Sequence, residues 1–598
     1  MAAIVGYFDV KKQLPETTLE TMLSAAYVPS ACNQQAWQTE FSGLGVVAQK
    51  SDATNVYDCA ETARIVMTGE FESLEVGDAM PRLDRMTEQQ IALLRGGFVW
   101  ALMDESQQRF FIVNDHFGRH PLYIVKYKEA VLFATQIKVL LAALPVKPEL
   151  DKQAVAMMLS IGEMVGNQTL VSGITTLAAG SVLSIDAKGL QQHQYWQYSY
   201  QQDFSKNKKQ AITEIGSALE QSVHRAVKQS DTLTIPLSGG LDSRFILGLA
   251  HKEKQVHAYT WGVPGCRDLI YAKKTSQKIN CAHDLFEFSP NYLQDYAGKG
   301  VWITEGQIPV VNFHVLPYVE RLTEDGNLTL LDGYAGDAVL GGNFIKPAWF
   351  NHSNQAEVAD SLWDWRLNST VKQFQQSKEV SGFIKDAKPL FTQTYAEYQG
   401  ETSMDVVMAF LMDNRVRRVT VGGTEIFRTQ FTVKQPFMDV DLMNAINSVP
   451  HEWRKRHRLY VDVLKHAAPD VAAVAWQRTC IPVSSPYVFS WLSLAGQKAY
   501  REARKFMPLP DLMGNDSPSQ FGLWFRDDLR SYVESVLFSE QSYERGVLPM
   551  ALLEQAWEKH LANELDASVF LGAAMSIELF ARLFMDDLSG SIQKFSEE

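Results

Sequence analysis

Apolar and polar positions follow two different rhythms along this chain. Up to about residue 145 the rhythm is short. IVGYF (4–8) reads as an opening strand. Residues 96–113 set two apolar runs around Asp104-Glu105-Ser106, and 122–135 does the same around Lys128-Glu129. Both predict hairpins. Residues 151–164 have helical spacing, and 166–197 read as strands and turns around Gly173 and Gly180. The stretch 198–210 is polar, rich in Gln and Lys, and lacks apolar periodicity. It reads as a linker, 201–210, between units 1–200 and 211–598.

Beyond it the rhythm lengthens. Residues 211–228 have helical spacing, LTIPL (233–237) is a short buried strand, and 243–252 a helix. VHAYTWG, ending at Gly262, is a second strand, followed by a helix over 268–280 and a later strand at 328–332. Strands alternating with helices predict an α/β fold with a parallel sheet and ligands at the strand C-termini. Residues 400–598 read as largely helical. No internal repeat or low-complexity tract is present.

Composition narrows the class. At roughly 100–200 residues per domain, 598 residues imply two to four domains. Hydrophobic residues at 46% and charged ones at 21% fit a soluble globular protein and exclude disorder, collagen and a small disulfide scaffold. The net charge of −13 argues against general binding of nucleic acid or anionic membrane. Cys32, Cys59, Cys266, Cys281 and Cys480 form no CxxC pair, so neither a zinc site nor a disulfide framework is expected. A reducing, cytoplasmic compartment fits. The N-terminus is apolar before it is basic, the reverse of a secretory signal. No apolar run is expected to reach the ~18–20 residues of a membrane helix.

The strongest chemical signal is Leu237-Ser238-Gly239-Gly240-Leu241-Asp242-Ser243, between a buried strand and a helix. Two glycines let backbone wrap an anion, and the helix N-terminus offers N–H groups and a positive dipole end. Ser238 and Ser243 add hydroxyls, and Asp242 can hold magnesium on phosphates. The lysine of a Walker A loop is absent. A second signal, Asp332-Gly333-Tyr334-Ala335-Gly336-Asp337, also follows a strand and offers Asp337 as a second carboxylate ligand. A third, Gln435-Pro436-Phe437-Met438-Asp439-Val440-Asp441, follows the basic Arg415, Arg417 and Arg418 and reads as a helix start. Gly43–Ala48 matches G-x-G-x-x-A but lacks a βαβ frame, so no dinucleotide site is expected.

These motifs, in this order, resemble the synthetase domain of the asparagine synthetase family, whose loop cleaves ATP to AMP and pyrophosphate. Ile4-Val5-Gly6-Tyr7, Gly97–Asp104, Asp115–Tyr123 and Phe133–Lys138 resemble its class II glutamine amidotransferase domain. The resemblance covers about residues 1–590. It implies an Ntn-type αββα sandwich followed by a parallel-sheet ATP-pyrophosphatase domain with a helical extension. It also implies ATP and Mg2+, with nucleotide contacts at Leu237, Ser238, Gly239, Gly240, Asp242, Ser243, Gly262 and Gly333, and metal contacts at Asp242 and Asp337.

The departures matter as much. The family's glutaminase attacks with a cysteine at position 2, where this chain has Ala2. The family's Asn-Gly-Glu segment is here Thr68-Gly69-Glu70, and no equivalent of its arginine loop or later aspartate is found. A decayed glutaminase beside an intact adenylating site implies that another amine attacks the acyl-adenylate. Lasso peptide cyclases and β-lactam synthetases resemble this arrangement. Tyr334 replaces the family's usual glutamate, as in β-lactam synthetases, where tyrosine and a glutamate deprotonate the amine. Asp413 and Glu425 are the candidate acidic partners. Arg458 best matches the family's catalytic lysine, and Arg478 is a second candidate for phosphate.

The favoured expectation is a lasso-type macrolactam synthetase acting on a precursor core peptide. A leader-binding protein and a leader peptidase would then be partners, with no nucleic acid or membrane. A small-molecule amide or β-lactam synthetase, an ammonia-dependent asparagine synthetase and a non-catalytic scaffold stay open. Trp524, Phe525, Trp557, His560 and Phe580 either line a peptide groove or form core.

Overall fold

The strand Phe98–Asp104 is buried along its whole length because both of its faces are covered. Val99, Ala101 and Met103 meet Ile4, Leu44, Val46 and Phe133 of a facing sheet. Phe98, Trp100 and Leu102 point the other way, onto Phe71, Leu83 and Ile91. Two six-stranded antiparallel sheets are stacked in this way. One runs, in spatial order, 174–176, 123–127, 130–134, 2–8, 42–49, 31–38; the other runs 189–194, 181–186, 109–114, 98–104, 63–69, 56–60. Helices Thr18–Ala25 and Ile137–Ala143 pack on the outer side of the first sheet, and Lys152–Ile161 packs against the helix Lys378–Ala396. The short helix Glu88–Ile91 lies outside the second. Gly43–Ala48 sits inside the strand Ser42–Gln49, paired on both edges, which disposes of the dinucleotide reading.

This structure is a computed structural model. It describes all residues except 1, 30, 50–55, 61, 73–80, 320, 324–327, 351–353, 505, 508–514, 516 and 598. Cys266, Cys281 and Cys480 are free thiols; the side chains of Cys32 and Cys59 lie outside the described residues.

The second half is built on a five-stranded sheet in the order 282–287, 255–262, 232–236, 329–331, 432–434, every pair parallel. Its central strand Thr232–Pro236 is buried at Leu233, Thr234 and Ile235, on both faces, as a sheet covered by helices requires. The edge strand Thr432–Lys434 falls in the region read as largely helical; three residues are too few to show an alternating pattern. The helix Lys208–Val227 starts inside the polar stretch, capped by the Asn207 side chain. That stretch is also tethered: the amides of Gln201 and Asp203 donate to Asn447 and Ser448 carbonyls.

The halves are joined by charge and hydrogen bonding. The π-helical turn Met412–Val421 sends Arg417 to the Leu177 carbonyl, and Arg418 to the carbonyls of Gly166 and Gln168. Arg415 reaches the Glu163 carboxylate. The basic stretch is therefore an interdomain clamp. Lys138 and Glu305 form a buried ion pair at 2.9 Å.

One sequence expectation fails here. Ser568–Asp586 spans 19 residues and is long and apolar enough to cross a membrane, yet 72% of it is buried inside the protein. Its apolar character is explained by packing in the core.

Candidate active site

Pro236 closes the central strand, and the chain turns through Leu237–Leu241 into the helix Asp242–Ala250. That helix has no side-chain N-cap. Loop amides are held by side-chain oxygens: Ser238 N–H donates to Ser243 Oγ at 2.9 Å, Gly240 N–H to Ser238 Oγ at 3.2 Å, and Gly239 N–H to Asp268 Oδ1 at 2.8 Å. Burial raises the Asp268 carboxyl above its usual range. Arg244 ties the loop down, donating to the carbonyls of Gly239, Val474 and Ala475.

The Asp332–Asp337 turn packs directly on this loop. A side chain at Gly333 would stand 2.7 Å from Ser243 N, and one at Gly336 2.7 Å from Asp242 Cγ. Glycine at both positions is what permits the approach. The Asp337 amide donates to Asp242 Oδ2 at 2.9 Å, and the Tyr460 hydroxyl donates to Asp242 Oδ1 at 2.8 Å. Burial first, and the Asp337 charge second, push the Asp242 carboxyl up to about 7. His457 Nε2 lies 2.5 Å from Asp337 Oδ1, and Asn343 Nδ2 donates to Asp337 Oδ2.

Two neighbouring carboxylates, one burdened by the other's charge, form a hard oxygen donor set that suits Mg2+. Among the described residues no cluster of three or more His, Cys, Asp or Glu forms a self-sufficient metal cage.

A cleft of about 520 Å³ opens at this point. It is lined by Ser238, Gly240, Asp242 and Asp337, and by the cations Arg267, Arg478 and Arg501. It adjoins an aromatic and basic trough of about 410 Å³, containing Trp476, Tyr487 and Trp491. His457, Trp476, Arg478 and Leu494 line both.

Several expectations need correction. Arg458 does not line the cleft: it is exposed, and its guanidinium lies 4.5 Å over the Tyr487 ring in the trough. It begins a helix and points away, whereas Arg478 faces the carboxylates. Gly262 is also outside the cleft lining, packed against Cys266 and Pro518 at the end of its strand. Asp413 accepts from Tyr398 at 2.6 Å and pairs with Arg417, in a separate cavity beside Trp196 and Tyr198. Glu425 is paired with Arg428. Neither acid is brought to Tyr334. The hydroxyl end of the Tyr334 ring faces Gly423, and burial followed by the Asp332 charge raises its hydroxyl pKa. Trp524, Phe525, Trp557, His560 and Phe580 are buried and form core, so the open aromatic surface is the Trp476–Trp491 trough.

His457, Tyr460, Asn343 and Arg267 were not singled out in the sequence. Spacing carries no signal for them: His457 is 120 residues from the aspartate it touches.

The Ala2 end has its own cavity, about 280 Å³, bordered by Thr68, Gly69, Glu70, Arg119, His120 and Arg428 among others. Its charges are matched internally. Glu70 pairs with Lys434, Arg119 with Asp115 at 3.3 Å, and Arg428 donates to the Arg119 carbonyl.

Comparison with known proteins gives the family. A model described as asparagine synthase matches residues 214–477, and one described as a glutamine amidotransferase domain matches 80–196. The chain is 21% identical over 532 residues to asparagine synthetase (glutamine-hydrolyzing) 3 of Bacillus subtilis, a match covering 78% of this chain and 84% of the relative. It is 23% identical over 344 residues to the carboxyethyl-arginine beta-lactam-synthase of Streptomyces clavuligerus, covering 56% and 63%. A putative asparagine synthetase (glutamine-hydrolyzing) 1 of Methanocaldococcus jannaschii is 25% identical over 278 residues, covering 46% and 50%. The matches to these last two thus span less than two thirds of each relative.

Proposed function

Since this chain belongs to the asparagine synthetase family of ATP-dependent amide-forming enzymes, we propose that it makes a macrolactam, joining a peptide's N-terminal amine to an Asp or Glu side chain without using glutamine. The observation that carries the adenylating half is the Asp242–Asp337 pair set on the Ser238–Ser243 loop.

In this reading Asp242 and Asp337 hold magnesium, which neutralises the phosphates of ATP when bound. The loop amides exchange their side-chain oxygens for phosphate oxygens, so pyrophosphate departs into a nest already shaped. Arg478, with Arg267 at the cleft, balances the departing charge. The attacking amine must be neutral. For Tyr334 to take the amine's proton, its own hydroxyl proton must pass on in the same step, and Asp332 is the carboxylate whose charge acts on it. The trough beside the cleft is wide enough for apolar and aromatic side chains of a peptide and excludes water from the acyl-adenylate when filled.

The loss of glutaminase chemistry is supported by Ala2 and by the internal pairing of Glu70 and Arg119. The N-terminal half then serves as scaffold. A second reading, a small-molecule amide or β-lactam synthetase, is favoured by the beta-lactam-synthase relative.

The test is nucleotide product analysis with the purified chain and Mg2+. With peptides encoded beside its gene, AMP and pyrophosphate are expected, and Asp242→Ala abolishes both. Turnover with aspartate and ammonium alone, or ADP as product, contradicts the proposal.

A further inference from the structure

Two successive non-glycine residues, Arg456 (φ 55°, ψ 34°) and His457 (φ 62°, ψ 18°), take the left-handed conformation just before the helix Arg458–Ala467. L residues adopt it at a cost, and such strain persists where the surroundings demand it. Here the demand is visible. The turn swings His457 beneath the Asp332–Asp337 motif, leaving it 4% exposed. Gly342 accepts the close pass: a side chain there would lie 2.4 Å from Arg454 O and 2.9 Å from Arg456 N.

His457 then bridges two groups of different roles. Arg478 Nη1 donates to His457 Nδ1 at 3.3 Å, which assigns the ring proton to Nε2, and Nε2 donates to Asp337 Oδ1 at 2.5 Å. The edge of the Trp476 ring, 5.4 Å away, fixes the imidazole plane. Asp337, His457 and Arg478 form one chain of hydrogen bonds from the carboxylate pair to the cation facing the phosphates.

We propose that His457 is a positioning residue that orients Asp337 for a divalent cation and holds Arg478 on the phosphate side. The proposal rests on the reading of Asp242 and Asp337 as metal ligands. Partners behind a ligand typically contribute about 10- to 100-fold in metal affinity.

The test uses Mn2+ as probe, read by electron paramagnetic resonance on the nucleotide-free full chain, with thermal melts as the folding control. His457→Ala is expected to weaken Mn2+ about 10- to 100-fold. His457→Asn, which tolerates the left-handed backbone and keeps a donor, restores part of the loss. Arg478→Ala leaves Mn2+ affinity near wild type and lowers kcat for pyrophosphate release. Arg456→Gly, which relaxes the turn at an exposed residue, raises Tm and keeps Mn2+ binding. Equal Mn2+ affinity in wild type and a folded His457→Ala overturns the role of His457 and leaves the cleft assignment standing. Mn2+ binding that survives Asp242→Ala overturns both.

Discussion

The backbone amide of Asp337 donates to the carboxylate of Asp242 at 2.9 Å, tying together two turns that are 95 residues apart in the chain. Everything else at the cleft is arranged about that bond. Tyr460 holds the other Asp242 oxygen, and His457 and Asn343 hold the two oxygens of Asp337.

Asp242→Asn keeps the shape and most of these bonds but removes the charge. Pyrophosphate release is expected to fall at least about a hundredfold, because a metal's stabilisation of transferring phosphate is worth several kcal/mol. Tm should stay within a few degrees of wild type, read by calorimetry. A fall in Tm that parallels the loss of activity would make the residue structural instead.

Gly333→Ala places a methyl 2.7 Å from Ser243 N, against backbone that cannot step aside. A loss of about 1–3 kcal/mol is expected, with a larger loss of turnover as the loop is displaced. Gly298→Ala is the contrast. It lies in the helix Tyr292–Thr304 with nothing within 4 Å, and should gain about 0.5–1 kcal/mol. Denaturant titration of the two variants measures both signs.

Burial pushes the Asp332 carboxyl up to about 7, from an ordinary value of 3.8. A group raised in the folded state contributes stability that is whole below its unfolded pKa and is lost as pH rises through the folded one. Asp332→Asn, always neutral, should therefore gain on wild type as pH goes from about 4 to about 8. Melts across that range check it; a difference that shrinks with pH contradicts the assignment.

Lys138 and Glu305 are almost completely buried, and Glu305 also accepts from the Ile137 and Lys138 amides. Lys138→Ala leaves an unpaired charge at the junction of the halves and should cost about 3–5 kcal/mol. Glu305→Gln in that background should recover part of it, by equilibrium unfolding.

Ala2→Cys supplies the missing nucleophile after methionine removal. No ammonia is expected from glutamine, because Glu70 and Arg119 are committed to partners within the protein. Sustained ammonia release in a coupled dehydrogenase assay would show that only the cysteine is lacking.

The Leu237–Ser243 loop and the Asp332–Asp337 turn were legible because each is a contiguous run whose glycines, acids and flanking strand belong to one local piece of chemistry. The strand Phe98–Asp104 was legible from its apolar run, although its burial on both faces was not. What escaped came from distant segments. His457 and Tyr460 reach the aspartates through the tertiary fold, and no spacing rule links them. Arg458 was favoured over Arg478 as the match to the family's lysine, and sequence order does not say which way a side chain leaves the helix that follows the left-handed turn. Asp413 and Glu425 were candidate partners for Tyr334 that no sequence feature singles out, and arginines pair with both. Ser568–Asp586 escaped the apolar-run reading because polar residues interrupt it, and its buried length needed the packed helix to be seen.

The most direct measurement is mass spectrometry of cells that express this chain with its neighbouring reading frames, set against the same cells carrying Asp242→Ala. The account predicts a peptide one water lighter than its precursor core, absent in the mutant. A lighter peptide that persists in the mutant, or a small amide product dependent on Asp242 with no peptide at all, would contradict it.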